Sequence, residues 1–209
     1  MNKLKKLRKY FRTHNLDGYI VPKNDEFFGE YVDERNDRLY YISSFSGSAG
    51  YALILKKKSY LFVDGRYTLQ AKKESDKNFK IIEIHKSKPS KILLKIHKKI
   101  KIGFDPKLFS EENLIRNFKT INTHLIPIEK NLVDKIWPNR PKSKIKKFFL
   151  LNSKYTGKDY KTKLNIVCKI LKKKKITKLL ITSPENLAWL LNIRGKDLLY
   201  SPVPNCHGV

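Results

Sequence analysis

The amino-acid sequence predicts an α/β fold: a mixed β-sheet flanked by helices, followed by a partial second copy of a similar unit. Apolar runs of strand length alternate with predicted helices of about ten residues along the first part of the chain, which is typical of α/β folds. A predicted antiparallel hairpin makes that sheet mixed instead of purely parallel. The same order of elements then recurs at an offset of about 160 residues, which indicates an internal repeat.

The centre of the first unit is the stretch Leu39–Ala71. It opens with the apolar run Leu39–Ile42, and small residues then allow one backbone segment to approach another closely. Two runs rich in β-branched and aromatic residues, separated by a basic link, predict the hairpin. In order, the predicted parts are the small-residue loop Ser43–Gly50, the strands Tyr51–Leu55 and Tyr60–Val63, the turn Asp64-Gly65 and the helix Thr68–Lys77.

The remaining elements of the first unit follow from apolar spacing and capping residues. Leu4, Leu7 and Phe11 recur at helical spacing between basic residues. Ser110 is a suitable N-cap for a helix that begins at Glu111. The predicted helices are residues 2–14, Asn24 or Asp25 to Glu30 or Tyr31, Ser90–His97 and Glu111–Phe118, and the predicted strands are Tyr19–Val21, Lys80–Ile84, Lys101–Asp105 and His124–Ile128.

A proline-containing basic stretch predicts the boundary between the two units. We expect a complete domain over residues 1–140, a linker over 141–147 and an incomplete α/β domain over 148–209. The second unit is predicted to comprise the helix Lys161–Lys172 with Leu164, Val167, Cys168 and Leu171 inside, the strand Leu179–Ile181, the helix Glu185–Leu191 and the lead-in Leu198–Tyr200. Since no hairpin follows these elements, we expect an open sheet edge and an uncovered apolar face in a truncated piece of a longer protein.

Composition narrows the class of protein. The chain has 209 residues and a formal net charge of +27. Such a charge would suit nucleic acid, but the basic residues are mostly lysines spread along the whole chain, so we disfavour that partner. No apolar run approaches the ~20 residues of a membrane helix, the basic start lacks a signal-peptide core, and two cysteines cannot form a disulfide framework. We therefore expect a cytoplasmic protein without membrane contact.

Four motifs in order resemble the amino-terminal region of the aminopeptidase P (Xaa-Pro aminopeptidase) family, within the creatinase and prolidase superfamily. These motifs are Ser46-Gly47-Ser48-Ala49-Gly50, Asp64-Gly65-Arg66-Tyr67, Asn131-Leu132-Val133-Asp134-Lys135-Ile136-Trp137 with Arg140-Pro141, and Asn186-Leu187-Ala188-Trp189-Leu190-Leu191-Asn192-Ile193-Arg194-Gly195. The resemblance implies that catalysis belongs to a carboxy-terminal domain with two divalent metal ions, usually manganese. It implies for this chain no catalytic or metal residue, a catalytic domain as partner, peptide substrate only in the full-length context, and a role in homo-oligomer contacts.

The resemblance also implies a rim that limits access of substrate to the catalytic domain. Its candidate residues are Gly47, Ser48, Gly50, Arg66 and Tyr67. The alternative is structural: Asp64 caps a strand-to-helix junction, and Arg66 bridges to a nearby carboxylate. The small-residue loop lacks the lysine of a P-loop, which argues against nucleotide binding. Trp137 and Trp189 are expected to be packing residues.

Three functions remain open at this point. The leading hypothesis is the non-catalytic amino-terminal region of an Xaa-Pro aminopeptidase, which shapes substrate access and subunit contacts. The second is a free-standing binding or assembly module that pairs with a separately encoded catalytic chain. The third is a basic nucleic-acid-binding protein, whose affinity would fall steeply with salt.

Overall fold

The computed structural model describes residues 2–142, 146–198 and 200–209. The chain divides into two compact units, Met1–Glu26 with Arg35–Pro141 and Phe27–Glu34 with Lys142–Val209. Residues 143–145 of the predicted linker and Leu199 of the predicted lead-in lie outside the described residues.

The six strands of the first unit follow the predicted order, whereas its helices agree only in part. The elements are α1 (Lys3–Thr13), β1 (Gly18–Pro22), α2 (Arg38–Ser43), β2 (Gly50–Leu55), β3 (Ser59–Val63), α3 (Thr68–Glu74), β4 (Phe79–Glu83), α4 (Pro89–Leu94), β5 (Ile100–Phe104), α5 (Glu111–Phe118), β6 (Thr123–Pro127) and α6 (Leu132–Lys135). Short 3-10 turns at Gly65–Tyr67 and Pro106–Leu108 follow β3 and β5. The Ser110 hydroxyl accepts a hydrogen bond from the backbone N–H of Asn113 at 3.3 Å, so the predicted cap of α5 is confirmed.

The first unit contains a six-stranded sheet in the order β4-β3-β2-β1-β5-β6. Strand β2 runs antiparallel to both of its neighbours, while the other three pairings are parallel. The predicted hairpin is β2–β3, with Tyr51 opposite Phe62 and Leu53 opposite Tyr60. The prediction of a mixed sheet is therefore confirmed.

Helices cover both faces of this sheet. Because side chains alternate along a strand, Tyr19 and Val21 of β1 enter one core and Ile20 enters the other. The first core also holds the apolar residues of α1 and α6, and the second holds those of α4 and α5. Burial of apolar side chains on both sides of the strands is the main favourable term in the stability of this unit.

The predicted short helix between Asn24 and Tyr31 is wrong. Phe28 has a φ of 56°, in the left-handed region that a right-handed helix cannot contain. The Phe27 and Tyr31 rings instead pack against rings of the second unit, to which this segment belongs. Their ring centroids lie 5.0 Å from that of His207 and 5.3 Å from that of Tyr200, respectively. Tertiary aromatic contacts thus outweigh a weak local helix signal.

Helix α2 contains the apolar run Leu39–Ile42, for which the sequence pattern predicts no helix or strand. The Asp37 side chain accepts a hydrogen bond from the backbone N–H of Tyr40 at 3.0 Å and caps the helix. Leu39 and Ile42 are buried in the first core. The helix forms because one turn brings both apolar side chains to the same side.

The second unit has short elements: β7 (Phe149–Leu150), α7 (Ser153–Thr156), α8 (Tyr160–Lys173), α9 (Pro184–Leu191) and β8 (Ile193–Arg194). Strands β7 and β8 pair antiparallel. The predicted strand Leu179–Ile181 is wrong, because the described residues show only a single bridge between Ile181 and Gly208. The Leu180 side chain is 63% exposed, so the described residues leave most of it uncovered.

The predicted inward face of α8 is correct for Leu164, Val167 and Leu171, which are half-buried, and wrong for one residue. Cys168, expected in the core, is exposed, whereas Lys163 is only 4% exposed. The Lys163 ammonium donates to the carbonyl of Trp189 at 2.8 Å and to Oδ1 of Asn192 at 2.6 Å, and it lies 4.2 Å from the centroid of the Trp189 ring. These acceptors at the end of α9 hold the lysine inside. Trp189 was expected to pack in the core or at a domain contact; it is 60% exposed, so a core position is wrong and the domain contact stays a prediction.

Candidate functional site

The small-residue loop connects α2 to β2 in the first unit. Ser44 ends α2 in the left-handed conformation, with a φ of 63°. The Ser43 hydroxyl donates to the carbonyl of Leu39 at 2.6 Å, and the Ser43 carbonyl accepts from the backbone N–H of Asp76 at 3.0 Å. The beginning of the loop is therefore hydrogen-bonded to the connection between α3 and β4.

Close packing explains the glycines of this loop. The Phe45 ring is fully buried, and a Cβ atom added at Gly47 would lie 2.2 Å from its Cζ. A Cβ at Gly50 would lie 2.7 Å from the backbone carbonyl oxygen of Phe62 on the neighbouring strand. Two of the candidate rim residues thus have a structural requirement of their own.

Ser48 and Tyr67 are brought together from the two motifs. The Ser48 Oγ lies 2.7 Å from the Tyr67 hydroxyl, and the Tyr67 ring packs edge-on against Phe45 with centroids 5.9 Å apart. The Tyr67 ring is part of the periphery of the first core, while its hydroxyl reaches the surface. The loop and the turn after β3 therefore form one continuous surface.

Glu74 at the end of α3 fixes the other side of the loop. Its carboxylate accepts hydrogen bonds from the backbone N–H and the hydroxyl of Ser46 at 2.9 and 2.8 Å. Gln70 donates to the Ser46 Oγ at 2.8 Å and to Glu74 at 3.0 Å. Desolvation raises the pKa of Glu74, but the hydrogen bonds from Ser46 and Gln70 outweigh it and hold the pKa below the ordinary value. Sequence reasoning missed Glu74; the i, i+4 spacing of Gln70 and Glu74 was its only signal.

Arg66 makes local contacts and presents the rest of its guanidinium to solvent. Asp64 accepts from the backbone N–H of Arg66 at 3.0 Å and from its Nε at 2.9 Å, and these two bonds lower the pKa of Asp64 to about 2. The Arg66 side chain is 75% exposed, and its guanidinium carbon lies 5.5 Å from the centroid of the Tyr67 ring. Arg66, Tyr67 and Ser48 therefore share one surface, with a cation at its outer side.

A second polar cluster, which sequence reasoning missed, lies at the motif around Asp134. Arg38 donates from Nε and Nη2 to the two carboxylate oxygens of Asp134 at 2.8 and 2.9 Å. Nη1 of Arg140 lies 2.7 Å from Oδ2 of the same carboxylate. Burial lowers the pKa of Arg38, but the hydrogen bonds to Asp134 outweigh it and raise the pKa overall. The available signal was the motif itself, which contains both Asp134 and Arg140.

Trp137 anchors the end of the first unit, as expected from the sequence. Its ring stacks on that of Tyr41 with centroids 4.3 Å apart, and the Tyr41 hydroxyl donates to the carbonyl of Ile136 at 2.7 Å. The motif around Asp134 thus has a structural role: it fastens the last helix of the unit to α2.

The potential metal ligands of this chain are its His, Cys, Asp and Glu side chains. In residues 2–142, 146–198 and 200–209, no group of three or more His, Cys, Asp or Glu side chains could hold a metal ion. The two metal ions implied by the resemblance therefore do not fit the described residues of this chain. Burial raises the pKa of the Cys206 thiol, which disfavours the reactive thiolate. No helix in the same residues is long and apolar enough to cross a membrane.

Comparison with protein-family models identifies the family of this chain. The family model for the creatinase/prolidase N-terminal domain matches residues 3–135, and a second model of the same description matches residues 139–209. The chain belongs to the creatinase/prolidase N-terminal domain family. Both units match models with the same description, in agreement with a partial second copy.

Two of the curated relatives that the chain matches are Xaa-Pro aminopeptidases. The chain is 36% identical to a probable Xaa-Pro aminopeptidase P of Coprinopsis cinerea over 94% of this chain and 33% of the relative. It is 34% identical to Xaa-Pro aminopeptidase 1 of Dictyostelium discoideum over 96% of this chain and 34% of the relative. The chain therefore spans about a third of the length of the curated relatives it matches. The resemblance inferred from the four motifs is confirmed.

A solved structure shows the same arrangement of elements. The X-prolyl aminopeptidase of Caenorhabditis elegans superposes with a TM-score of 0.87 and 29% identity, over 98% of this chain and 36% of that protein. It is described as a cytosolic enzyme with a di-nuclear active site. The superposition confirms the predicted fold class.

Proposed function

We propose that this chain is the non-catalytic amino-terminal region of an Xaa-Pro aminopeptidase, an enzyme that removes the residue preceding proline from a peptide. The observation that carries the proposal is that 98% of the chain superposes on 36% of the C. elegans enzyme. The proposed domains are 1–140 and 148–209 with a linker at 141–147, a division supported by family matches that end at 135 and begin at 139, although Phe27–Glu34 groups with the second compact unit. The cytosolic description of the C. elegans enzyme supports a cytoplasmic location.

Hydrolysis itself belongs to residues of the relatives that this chain does not align with. The di-nuclear site of the C. elegans enzyme supports two divalent metal ions, with manganese as the proposed metal. When bound, such ions supply a metal-activated water for attack on the peptide carbonyl. The described residues of this chain contain no group of three or more potential ligands for such ions.

The function that we assign to this chain is to shape access to the catalytic domain. Gly47, Ser48, Gly50, Arg66 and Tyr67 would form a rim that contacts the peptide or limits its length. Its support is the rigidity of the loop, anchored by buried Phe45 and by Glu74, together with an exposed cation at its edge. A rigid rim suits this purpose because a fixed surface positions a substrate with little loss of entropy.

The first test compares this chain with a chimera in which it replaces the aligned residues of the Dictyostelium enzyme. Purified alone with Mn²⁺, the chain is expected to release no residue from an X-Pro peptide. The chimera is expected to release it, and the remaining part of the Dictyostelium enzyme alone is expected to do so more slowly. Release by the purified chain alone would disprove the assignment of a non-catalytic role.

A second candidate function, a module that pairs with a separate catalytic chain, is favoured by exposed apolar side chains in the second unit. Phe148, Leu150 and Leu180 are each more than 60% exposed. Such apolar exposure is typical of surfaces that bind a partner. If this candidate is correct, activity returns when the two parts of the chimera are expressed separately and mixed; if they function only when joined, the candidate is wrong.

The second test concerns the rim. In the chimera, Arg66→Ala is expected to lower kcat/KM by about tenfold for longer X-Pro peptides, because a charge-assisted contact beyond the scissile bond is lost. For dipeptides, kcat/KM is expected to change little. Thermal unfolding serves as the structural readout. The matched control is Arg116→Ala on α5, an exposed arginine whose pairing with Glu112 at 3.7 Å is weak. An unchanged kcat/KM for all peptide lengths together with lowered stability would leave Arg66 only a structural role.

A further inference from the structure

A pocket of about 400 Å³ lies in the first unit, among the loops after three parallel strands. Residues that follow β1, β5 and β6 line it. In the sheet, β2, β3 and β4 lie on one side of β1, and β5 and β6 lie on the other side. The strand order therefore reverses between β1 and β5. In open α/β sheets, ligands bind at the carboxyl ends of the strands next to such a reversal.

The inner wall of the pocket is a fixed network of satisfied polar groups. Asp105 is 4% exposed, and its carboxylate accepts from the backbone N–H of Lys107 at 3.0 Å and from Nδ2 of Asn131 at 2.8 Å. Arg38 and Asp134, which also line the pocket, are bonded to each other, and the Asp134 carboxylate also binds Arg140. These groups hold the shape of the site, and their hydrogen bonds occupy them.

Four charged side chains at the mouth of the pocket remain available to a ligand. Glu26 follows β1, Lys107 follows β5, and Glu129 and Lys130 follow β6. None of the four side chains makes a hydrogen bond or an ion pair in the part of the chain that the structure describes, although the charge of Glu26 contributes to the raised pKa of Arg38. A third lining lysine, Lys135, is engaged elsewhere, since its ammonium lies 3.4 Å from Nε2 of His14 and 5.3 Å from the centroid of the Tyr10 ring. Two carboxylates and two ammonium groups are thus left around one cavity, and the formal charges of all its lining residues cancel.

We propose that this pocket binds a small zwitterion, a free dipeptide, through its terminal ammonium and carboxylate groups. The carboxylates of Glu26 and Glu129 would receive the ammonium, and Lys107 and Lys130 together the carboxylate. A simple anion would meet two repelling carboxylates, and a simple cation two repelling ammonium groups. The cavity volume falls within the range of small-molecule sites. The proposal concerns the first unit alone and does not rest on the peptidase assignment.

The test titrates the full chain with alanyl-alanine, while the amide NMR signals of Asp105, Lys107, Leu108 and residues 129–131 are followed. Three blocked analogues separate the charges: N-acetyl-alanyl-alanine carries only the carboxylate, alanyl-alanine amide only the ammonium, and the doubly blocked peptide neither. We expect saturable shifts with alanyl-alanine and an affinity about tenfold lower when either end is blocked. Equal binding of a singly blocked peptide, or no saturable binding of alanyl-alanine, would overturn the proposal.

Variants then locate the site. Lys130→Gln and Glu26→Gln are each expected to weaken alanyl-alanine binding about tenfold. Loss with Lys130→Gln but not with Glu26→Gln would mean recognition of the carboxylate only, and would overturn the zwitterion. The matched control is Lys119→Gln, an exposed lysine after α5 that does not line the pocket. An equal loss with Lys119→Gln would reveal nonspecific attraction to the basic surface and also contradict the site.

Discussion

Replacing Asp134 with alanine is expected to destabilise the first unit by about 3 kcal/mol, at the lower end of the range for breaking a buried ion pair. The Arg38 side chain is only 7% exposed and loses both bonds to the carboxylate, at 2.8 and 2.9 Å. A guanidinium does not give up its proton, so the variant leaves a buried charge uncompensated. Asp134 is 25% exposed, and solvent reduces the cost accordingly. Urea unfolding followed by circular dichroism measures the difference.

Two further variants separate the ion pair from the loss of a side chain. Glu112→Ala removes the exposed partner of Arg116, with side chains 85% and 57% exposed, and is expected to cost less than about 0.5 kcal/mol. The double variant Arg38→Met with Asp134→Leu removes the two bonded charges and leaves Arg140, which is 21% exposed and can be solvated, so it is expected to regain at least half of the loss. If Asp134→Ala costs no more than Glu112→Ala, the cluster does not stabilise the unit.

Replacing Phe45 with alanine is expected to cost about 3–5 kcal/mol, which is the usual range for deleting a buried aromatic ring. The ring is fully buried, packs edge-on against Tyr67 and lies directly beneath Gly47. Its removal leaves a cavity under the small-residue loop, and the loop backbone cannot fill it without losing the hydrogen bonds to Glu74. Chemical denaturation measures the loss, and amide exchange at Ser46 reports the loosening of the loop.

Gly47 and Gly65 provide a matched pair of substitutions for the same region. A Cβ at Gly47 would lie 2.2 Å from the Phe45 ring, whereas a Cβ at Gly65 would meet nothing within 4 Å. Gly47→Ala is therefore expected to cost about 1–3 kcal/mol and Gly65→Ala less than about 0.5 kcal/mol. The double variant Phe45→Leu with Gly47→Ala should cost less than the sum of its parts. Equal costs of the two alanine variants would contradict the packing explanation of the small-residue motif.

Much of the first unit could be predicted because its signals are local. The hairpin β2–β3 has two runs of β-branched and aromatic residues around a short link, and strand periodicity brings such residues to defined faces. Ser110 and Asp64 have side chains that accept hydrogen bonds from backbone a few residues onward, so their caps were predictable. Recognition of the family depended on four motifs that could be read in order.

The errors occurred where distant residues outweigh local preference. The segment from Asn24 to Tyr31 had a capping residue, yet the rings of Phe27 and Tyr31 found partners about 170 or more positions later in the chain. Lys163 lies in an amphipathic helix whose apolar pattern favoured Cys168 inside. Hydrogen-bond acceptors at the end of α9, among them Oδ1 of Asn192, hold the Lys163 ammonium in the interior.

By itself, the sequence determined the class of fold, the family and the order of the sheet-forming elements, because period, turn chemistry and motifs depend on neighbouring residues. Only the tertiary structure decided that Glu74 holds Ser46 and that Asp134 neutralises Arg38. It alone also assembled the pocket from loops after three separate strands. The physical reason is that these interactions join side chains whose proximity is created by folding, and no local pattern encodes which distant partner satisfies a buried charge.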